Sequence, residues 1–145
     1  TVRENIEIPL CFVAGGSDRA KLSVEADTIL AQVGLAGLSS ARPRALSQVE
    51  LRKLELGRAL AGRPRVLIAD EAMAGLSDSE VDEILDLLLR LNGEGIAVLL
   101  IEHIMRAVMR FSERIVVLVA GQKIADGAPN EVMSHPEVVR AYLGE

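Results

Sequence analysis

The chain has 145 residues, half of them hydrophobic, a net charge of -5 and only 2% aromatic residues. That is enough apolar material for one domain with a real core, while the acidic balance and the scarcity of stacking rings exclude a nucleic-acid surface, which needs a basic face and aromatic platforms. A single cysteine, Cys11, rules out an internal disulfide and, in its apolar setting, predicts a small core residue.

Cysteine usage of this kind fits the cytosol. No apolar run approaches the roughly 18 residues of a bilayer span, and no charged start followed by a hydrophobic stretch marks a secretion signal, so membrane association is expected to go through a partner. At the start, Thr1-Val2-Arg3-Glu4 has capping-box spacing and predicts entry into a helix at once. With no initiator Met, this suggests that something precedes Thr1 in the natural product. Gly15 and Gly16 predict a turn or loop. Asp18 then caps a helix whose Leu22, Ala26, Ile29, Leu30 and Val33 form one apolar stripe ending at Gly34.

Residues 37–43 read as a loop that delivers the chain to Ser47. From 42 to 65, Arg42, Arg44, Arg52, Lys53, Arg58, Arg63 and Arg65 outnumber Glu50 and Glu55, which predicts a solvated helix face. Ser47 and Glu50 have the spacing of a capping box, which by itself explains both residues. A helix start also points free amides and its positive dipole end at any nearby anion.

The stretch Val66-Leu67-Ile68-Ala69-Asp70-Glu71 follows Pro64 and predicts a strand buried on both faces of a parallel sheet. Unpaired carboxylates buried at its end would be costly. Open α/β sheets place ligands at the C-terminal edge of their strands, so Asp70 and Glu71 point to a metal ion and a polarised water. Ser77-Asp78-Ser79-Glu80 is a second capping box. It opens a helix with Val81, Ile84, Leu85, Leu88 and Leu91 at helical period, stopped by Asn92-Gly93. Residues 96–101 predict a second buried strand leading into Glu102-His103. The unit is βαβ, and it sets Asp70, Glu71 and His103 on one edge of one sheet.

Beyond it, Ile104, Ala107, Val108 and Phe111 mark a short helix and residues 115–119 a strand. Gly121-Gln122 reads as a hairpin turn, with Lys123-Ile124-Ala125 returning antiparallel. Pro129 and Pro136 each suit the first turn of a short helix, the last carrying Val138, Val139, Tyr142 and Leu143. His135, before Pro136, reads as structural.

This order of motifs resembles the second half of an ATP-binding-cassette (ABC) ATPase: an apolar strand into Asp-Glu, the turn Ala74-Gly75-Leu76-Ser77, a helix, and an apolar strand into Glu-His. Ala45-Leu46-Ser47 through Arg58-Ala59-Leu60-Ala61 resembles the cassette signature motif and the helix after it. The stretch from Gly121 to Gly127 and the ending His135-Pro136-Glu137 through Tyr142-Leu143-Gly144-Glu145 look like the subgroup that energises branched-chain amino-acid importers.

The resemblance covers essentially the whole chain. It implies an α/β fold, a partial P-loop NTPase-type cassette. A helical subdomain would span 1–61 and the C-terminal half of the ATPase core 62–145, a mainly parallel sheet flanked by helices. By the same resemblance Asp70 would hold Mg2+ through water, Glu71 would polarise the attacking water and His103 would contact the terminal phosphate of ATP. Ser77 would lie in the turn that crosses to a second ABC ATPase subunit, and Ser47 would touch nucleotide held by that subunit. The implied partners are that subunit, transmembrane permease subunits and a periplasmic-type binding protein, with the chain cytoplasmic and peripheral on the inner face of the plasma membrane.

Departures from the family pattern are specific. The signature reads Leu46-Ser47-Gln48-Val49-Glu50: Val49 replaces a glycine that would let backbone approach phosphate, and Glu50 adds negative charge. Ala72 stands where proline is usual. No Gly-x-x-x-x-Gly-Lys-Ser/Thr occurs, and Gly15-Gly16-Ser17 lacks both spacing and lysine. Little ATP binding and no turnover are therefore expected of the chain by itself, and the missing strand should leave a gap between 96–101 and 115–119. A second reading is a non-catalytic interaction module, a degenerate cassette lending its signature face to a partner. A third, an unrelated nucleotide-binding or flavodoxin-like domain, accounts for the βαβ unit but not for the ordered motifs.

Overall fold

A computed structural model describes residues 1–13 and 18–143. The glycine pair at 15 and 16 and the last two residues lie outside the described residues. The chain divides into two compact units, Thr1–Ile101 and Glu102–Glu145, so the division by contacts falls well downstream of the 61/62 boundary that the resemblance implies.

The first unit opens with three helices packed on one another. Helix α1 (Val2–Val13) begins as the Thr1 to Glu4 spacing predicts, with the Glu4 amide donating to Thr1 Oγ1 at 3.2 Å. Its core face is Val2, Ile6 and Leu10, spaced four apart. Pro9 sits inside the helix and has no N–H to give to Asn5. Cys11 corrects the sequence reading: it is exposed, because the stripe that ends at Leu10 claims the buried face and the next residue is turned about 100° away. Ile8 and Phe12 are exposed with it.

Helix α2 (Arg19–Gln32) is capped by Asp18, which accepts from the Ala20 amide at 3.1 Å. It buries the predicted Leu22, Ala26, Ile29 and Leu30, with Val33 at its end and Gly34 in the left-handed region at φ +76. Helix α3 (Gln48–Leu60) crosses α1 and α2 closely at Gly57, where an added Cβ would lie 2.9 Å from Ile6 Cδ1. Ion pairs lace the surface. Arg63 grips Glu25 bidentately (2.8 and 3.0 Å), and Lys53 meets Glu83 at 2.7 Å, tying α3 to the next helix.

Strand β1 (Val66–Asp70) and strand β2 (Ala97–Ile101) pair in parallel, Val66 opposite Ala97 and Asp70 opposite Ile101. Between them runs α4 (Asp78–Gly93), the most deeply buried helix of the unit: Ile84, Leu85, Leu88 and Leu91 are wholly inaccessible. Asn92 and Gly93 remain helical, and the left-handed residue that turns the chain is Gly95. The two strands overturn the expectation of burial on both faces. Leu67 and Ala69 point into the core, while Val66 and Ile68, and across from them Leu99 and Ile101, are about half exposed or more. Among the described residues β2 has no neighbour but β1.

The second unit holds α5 (Met105–Phe111), the antiparallel pair β3 (Ile115–Val119) and β4 (Gln122–Gly127), α6 (Pro129–Met133) and α7 (Pro136–Val138), which runs on as a π-helical turn over Val139–Leu143. The sheet is thus two separate pairs of strands rather than one continuous surface. The hairpin turn is Ala120-Gly121, one residue earlier than the sequence suggests. Both residues have positive φ, as a two-residue turn matched to strand twist requires. Ile115, Val117, Ala125, Val132 and Val138 form the unit's own core.

Across the hairpin Arg114 holds Asp126 bidentately at 2.8 and 2.9 Å and Lys123 adds a contact at 2.9 Å, which keeps the Asp126 carboxyl well below the usual carboxylate range. A pKa depressed by folding stabilises the hairpin above the unfolded value of about 3.9 and is lost as pH falls below it. The Asp126 carboxyl carbon, followed by NMR, should therefore titrate far below pH 4, with hairpin amides losing protection in that range and Asp126→Asn flattening the response. A midpoint near 3.9 would count against the clamp.

Candidate functional site

Strand β1 carries Asp70 and Glu71 to the C-terminal end of the parallel pair, and both side chains are exposed. The Glu71 amide donates to the Ile101 carbonyl at 2.9 Å, extending the pairing one residue past the strand. Glu71 then leaves the sheet with φ +46, a left-handed conformation uncommon in a residue other than glycine and found disproportionately where function demands it. Nothing in the sequence announces it, because glutamate has no preference for that region.

The connection to α4 is a pair of overlapping turns. The Ala74 amide donates to Glu71 O at 3.1 Å and the Leu76 amide to Met73 O at 3.2 Å, with Gly75 at φ +78. Ser77 follows as the cap of α4. Its amide donates to the Glu80 carboxylate at 2.8 Å and its hydroxyl donates to the same carboxylate at 2.7 Å. Those bonds from Ser77 hold the Glu80 carboxyl below its ordinary value. Ser77 is thereby exposed but oriented.

Ser47 caps α3 in the reciprocal way the sequence predicts: its amide donates to Glu50 at 2.7 Å, and the Glu50 amide donates to Ser47 Oγ at 3.4 Å. The Val49 side chain is buried on the core face of α3.

His103 belongs to the second unit. Since β2 ends at Ile101, Glu102 and His103 follow the strand rather than extend it. The His103 amide donates to the Glu102 carboxylate at 3.3 Å, with Nδ1 at 3.9 Å from the same group, and the Glu102 side chain is fully buried while His103 is mostly exposed. Glu102 is the residue that attention to His103 alone passes over. An acid directly before the histidine was the available signal.

Asp70 and Glu71 offer exposed carboxylate oxygens, hard donors that suit Mg2+. Among the described residues no three His, Cys, Asp or Glu side chains gather to hold a metal. Such a donor set fits an ion that arrives with the phosphates of a nucleotide and keeps most of its water, and does not fit a resident ion held by protein alone. No helix among the described residues is long and apolar enough to cross a membrane.

The family pattern described as "ABC transporter" matches residues 1–74, and that described as "Branched-chain amino acid ATP-binding cassette transporter" matches residues 122–145. The high-affinity branched-chain amino acid transport ATP-binding protein BraF of Pseudomonas aeruginosa is 40% identical over 117 residues, covering 80% of this chain and 46% of that protein. The methionine import ATP-binding protein MetN 3 of Bacillus cereus is 38% identical over 138 residues, 94% of this chain and 40% of its own length. The chain thus spans about half the length of the curated relatives it matches. Among solved structures, the ADP conformation of an ATP-binding cassette of an ABC transporter superposes with a TM-score of 0.84 at 28% identity, over 100% of this chain and 63% of that one.

Proposed function

Because this chain belongs to the ABC transporter family, we propose that it is part of an ATP-binding subunit that couples ATP hydrolysis to solute import, with branched-chain amino acids as the solute class. In this reading residues 1–61 are the helical subdomain and 62–145 the C-terminal half of the ATPase core. The observation that carries it is the pair Asp70-Glu71, exposed at the C-terminal end of a parallel strand and followed at once by a turn into a serine-capped helix. The match over 122–145 supports the solute class, and the name of BraF points the same way.

Asp70 would hold Mg2+ through water, and that ion, when bound with ATP, neutralises charge on the phosphates. Glu71 would orient and polarise the attacking water, its backbone fixed by the bond to Ile101. His103 would meet the terminal phosphate, with the buried Glu102 carboxylate beneath it holding its backbone. Ser77 would face a second ATPase subunit, and Ser47 would serve nucleotide held there, its amide already donating to Glu50. Transmembrane permease subunits would take up the work, with this chain peripheral on the cytoplasmic face of the membrane.

The phosphate-binding loop that supplies most contacts to the β and γ phosphates has no counterpart in these 145 residues. Titration of a fluorescent ATP analogue with Mg2+ is therefore expected to show no saturable binding to the chain by itself. Added to a complete cassette subunit with an intact phosphate loop, the chain should tighten retention of the analogue, and Ser47→Ala should remove that gain. Saturable binding to the chain alone overturns the expectation that the phosphate loop is indispensable, and silence in both arms overturns the reading.

A further inference from the structure

We propose that Met73 is a positioning residue: it pins the turn between β1 and α4 and so holds Glu71 in its left-handed conformation. The inference rests on the reading of Glu71 given above, but concerns how its backbone is held. Every neighbour in this turn is at least partly accessible, with Asp70, Glu71, Gly75 and Ser77 exposed, yet Met73 is 0% exposed. It is also the residue the two turns share. The Glu71 to Ala74 turn passes through it, and its own carbonyl accepts the Leu76 amide that opens the second turn.

A left-handed glutamate is strained and persists only where the surroundings over-determine it. On one side Glu71 is tied to Ile101 by its amide; on the other its carbonyl is tied to Ala74. The first tie would serve an extended residue equally well. The second demands that the chain fold back within three residues, and the only side chain in that reversal with a buried seat is Met73. Removing the seat frees the reversal, and Glu71 can then relax toward ordinary φ while the strand pairing survives. An unbranched, adaptable thioether is suited to filling such a seat.

The test is NMR of the 145-residue chain with Met73→Ala, Met73→Val and Met73→Leu. The amide–Hα coupling and Cβ shift of Glu71 report its φ, and amide exchange reports the bonds of Glu71, Ala74 and Leu76. Met73→Ala should move the Glu71 signals toward ordinary backbone and speed exchange at Ala74 and Leu76 by about tenfold or more, with the α2 amides unchanged and Met73→Leu close to wild type. Should the alanine variant not fold, Met73→Val should show the same local changes to a lesser degree. Wild-type φ and protection at Glu71 and Ala74 in the shortened variants, or acceleration spread equally over α2, overturns the proposal. Neither outcome depends on nucleotide, so loss of this inference is separable from loss of the functional reading.

Discussion

Leu88→Ala is expected to remove about 2–5 kcal/mol of unfolding free energy, a large part of the roughly 5–15 kcal/mol that holds a typical domain together. Leu88 is wholly inaccessible on α4, stacked along the helix with Ile84, Leu85 and Leu91, which are equally buried. Truncation removes transfer energy and leaves a cavity that this crowded stripe has little freedom to close. Neighbouring Leu89, 38% exposed, is the internal control, and Leu89→Ala should cost under about 0.5 kcal/mol. Urea unfolding followed by circular dichroism measures both. Equal losses at the two positions would mean that α4 is not the spine of its unit.

The second large effect concerns association. Parallel sheets ordinarily bury both faces, yet one face of β1 and β2 leaves Val66, Ile68, Leu99 and Ile101 open, beside an edge of β2 that pairs with nothing among the described residues. Such a surface recruits further copies of the same chain. Sedimentation velocity should show concentration-dependent association. Ile68→Lys combined with Leu99→Lys should raise the concentration at which it sets in by about 100-fold or more, since burying each side chain would contribute about 1.5–3 kcal/mol. Because both are already exposed, the melting temperature should hardly move. A wild-type chain that stays monomeric with a sharp melt would show that this face needs no cover.

What the sequence made legible followed from periodicity and local chemistry. The stripes of α2 and α4 are set by residues three and four apart, the caps at Asp18 and Ser47 by side chains that reach amides two and three residues on, and the start of α4 by Glu80 reaching back to the amide and hydroxyl of Ser77. Cys11 was misread because hydrophobic neighbours in sequence are not neighbours on a helix: Leu10 is buried and Cys11 is not. Burial on both faces of β1 failed because an apolar run records what a strand can tolerate, while its cover depends on what is packed against it.

At the site, the order Asp70, Glu71, Ser77 and His103 was visible, as was the start of α4. The left-handed backbone of Glu71 and the seat of Met73 were not, since neither residue type has a local preference for such a place. Val49 shows the converse. It was noticed for the glycine it replaces, and its burial on the core face of α3 was not read from the sequence.

The two pairs of strands also run on different clocks. β3 and β4 are joined by a two-residue turn, and hairpins of that kind close within about 1–10 μs. β1 and β2 lie side by side only after the whole of α4 has been laid across them, and contacts so distant along the chain form later, after the intervening loop has lost its freedom. During synthesis the strand that carries Asp70 cannot meet β2 until residue 101 has emerged. A pause or chaperone acting in that interval would decide how much of the chain reaches its native register.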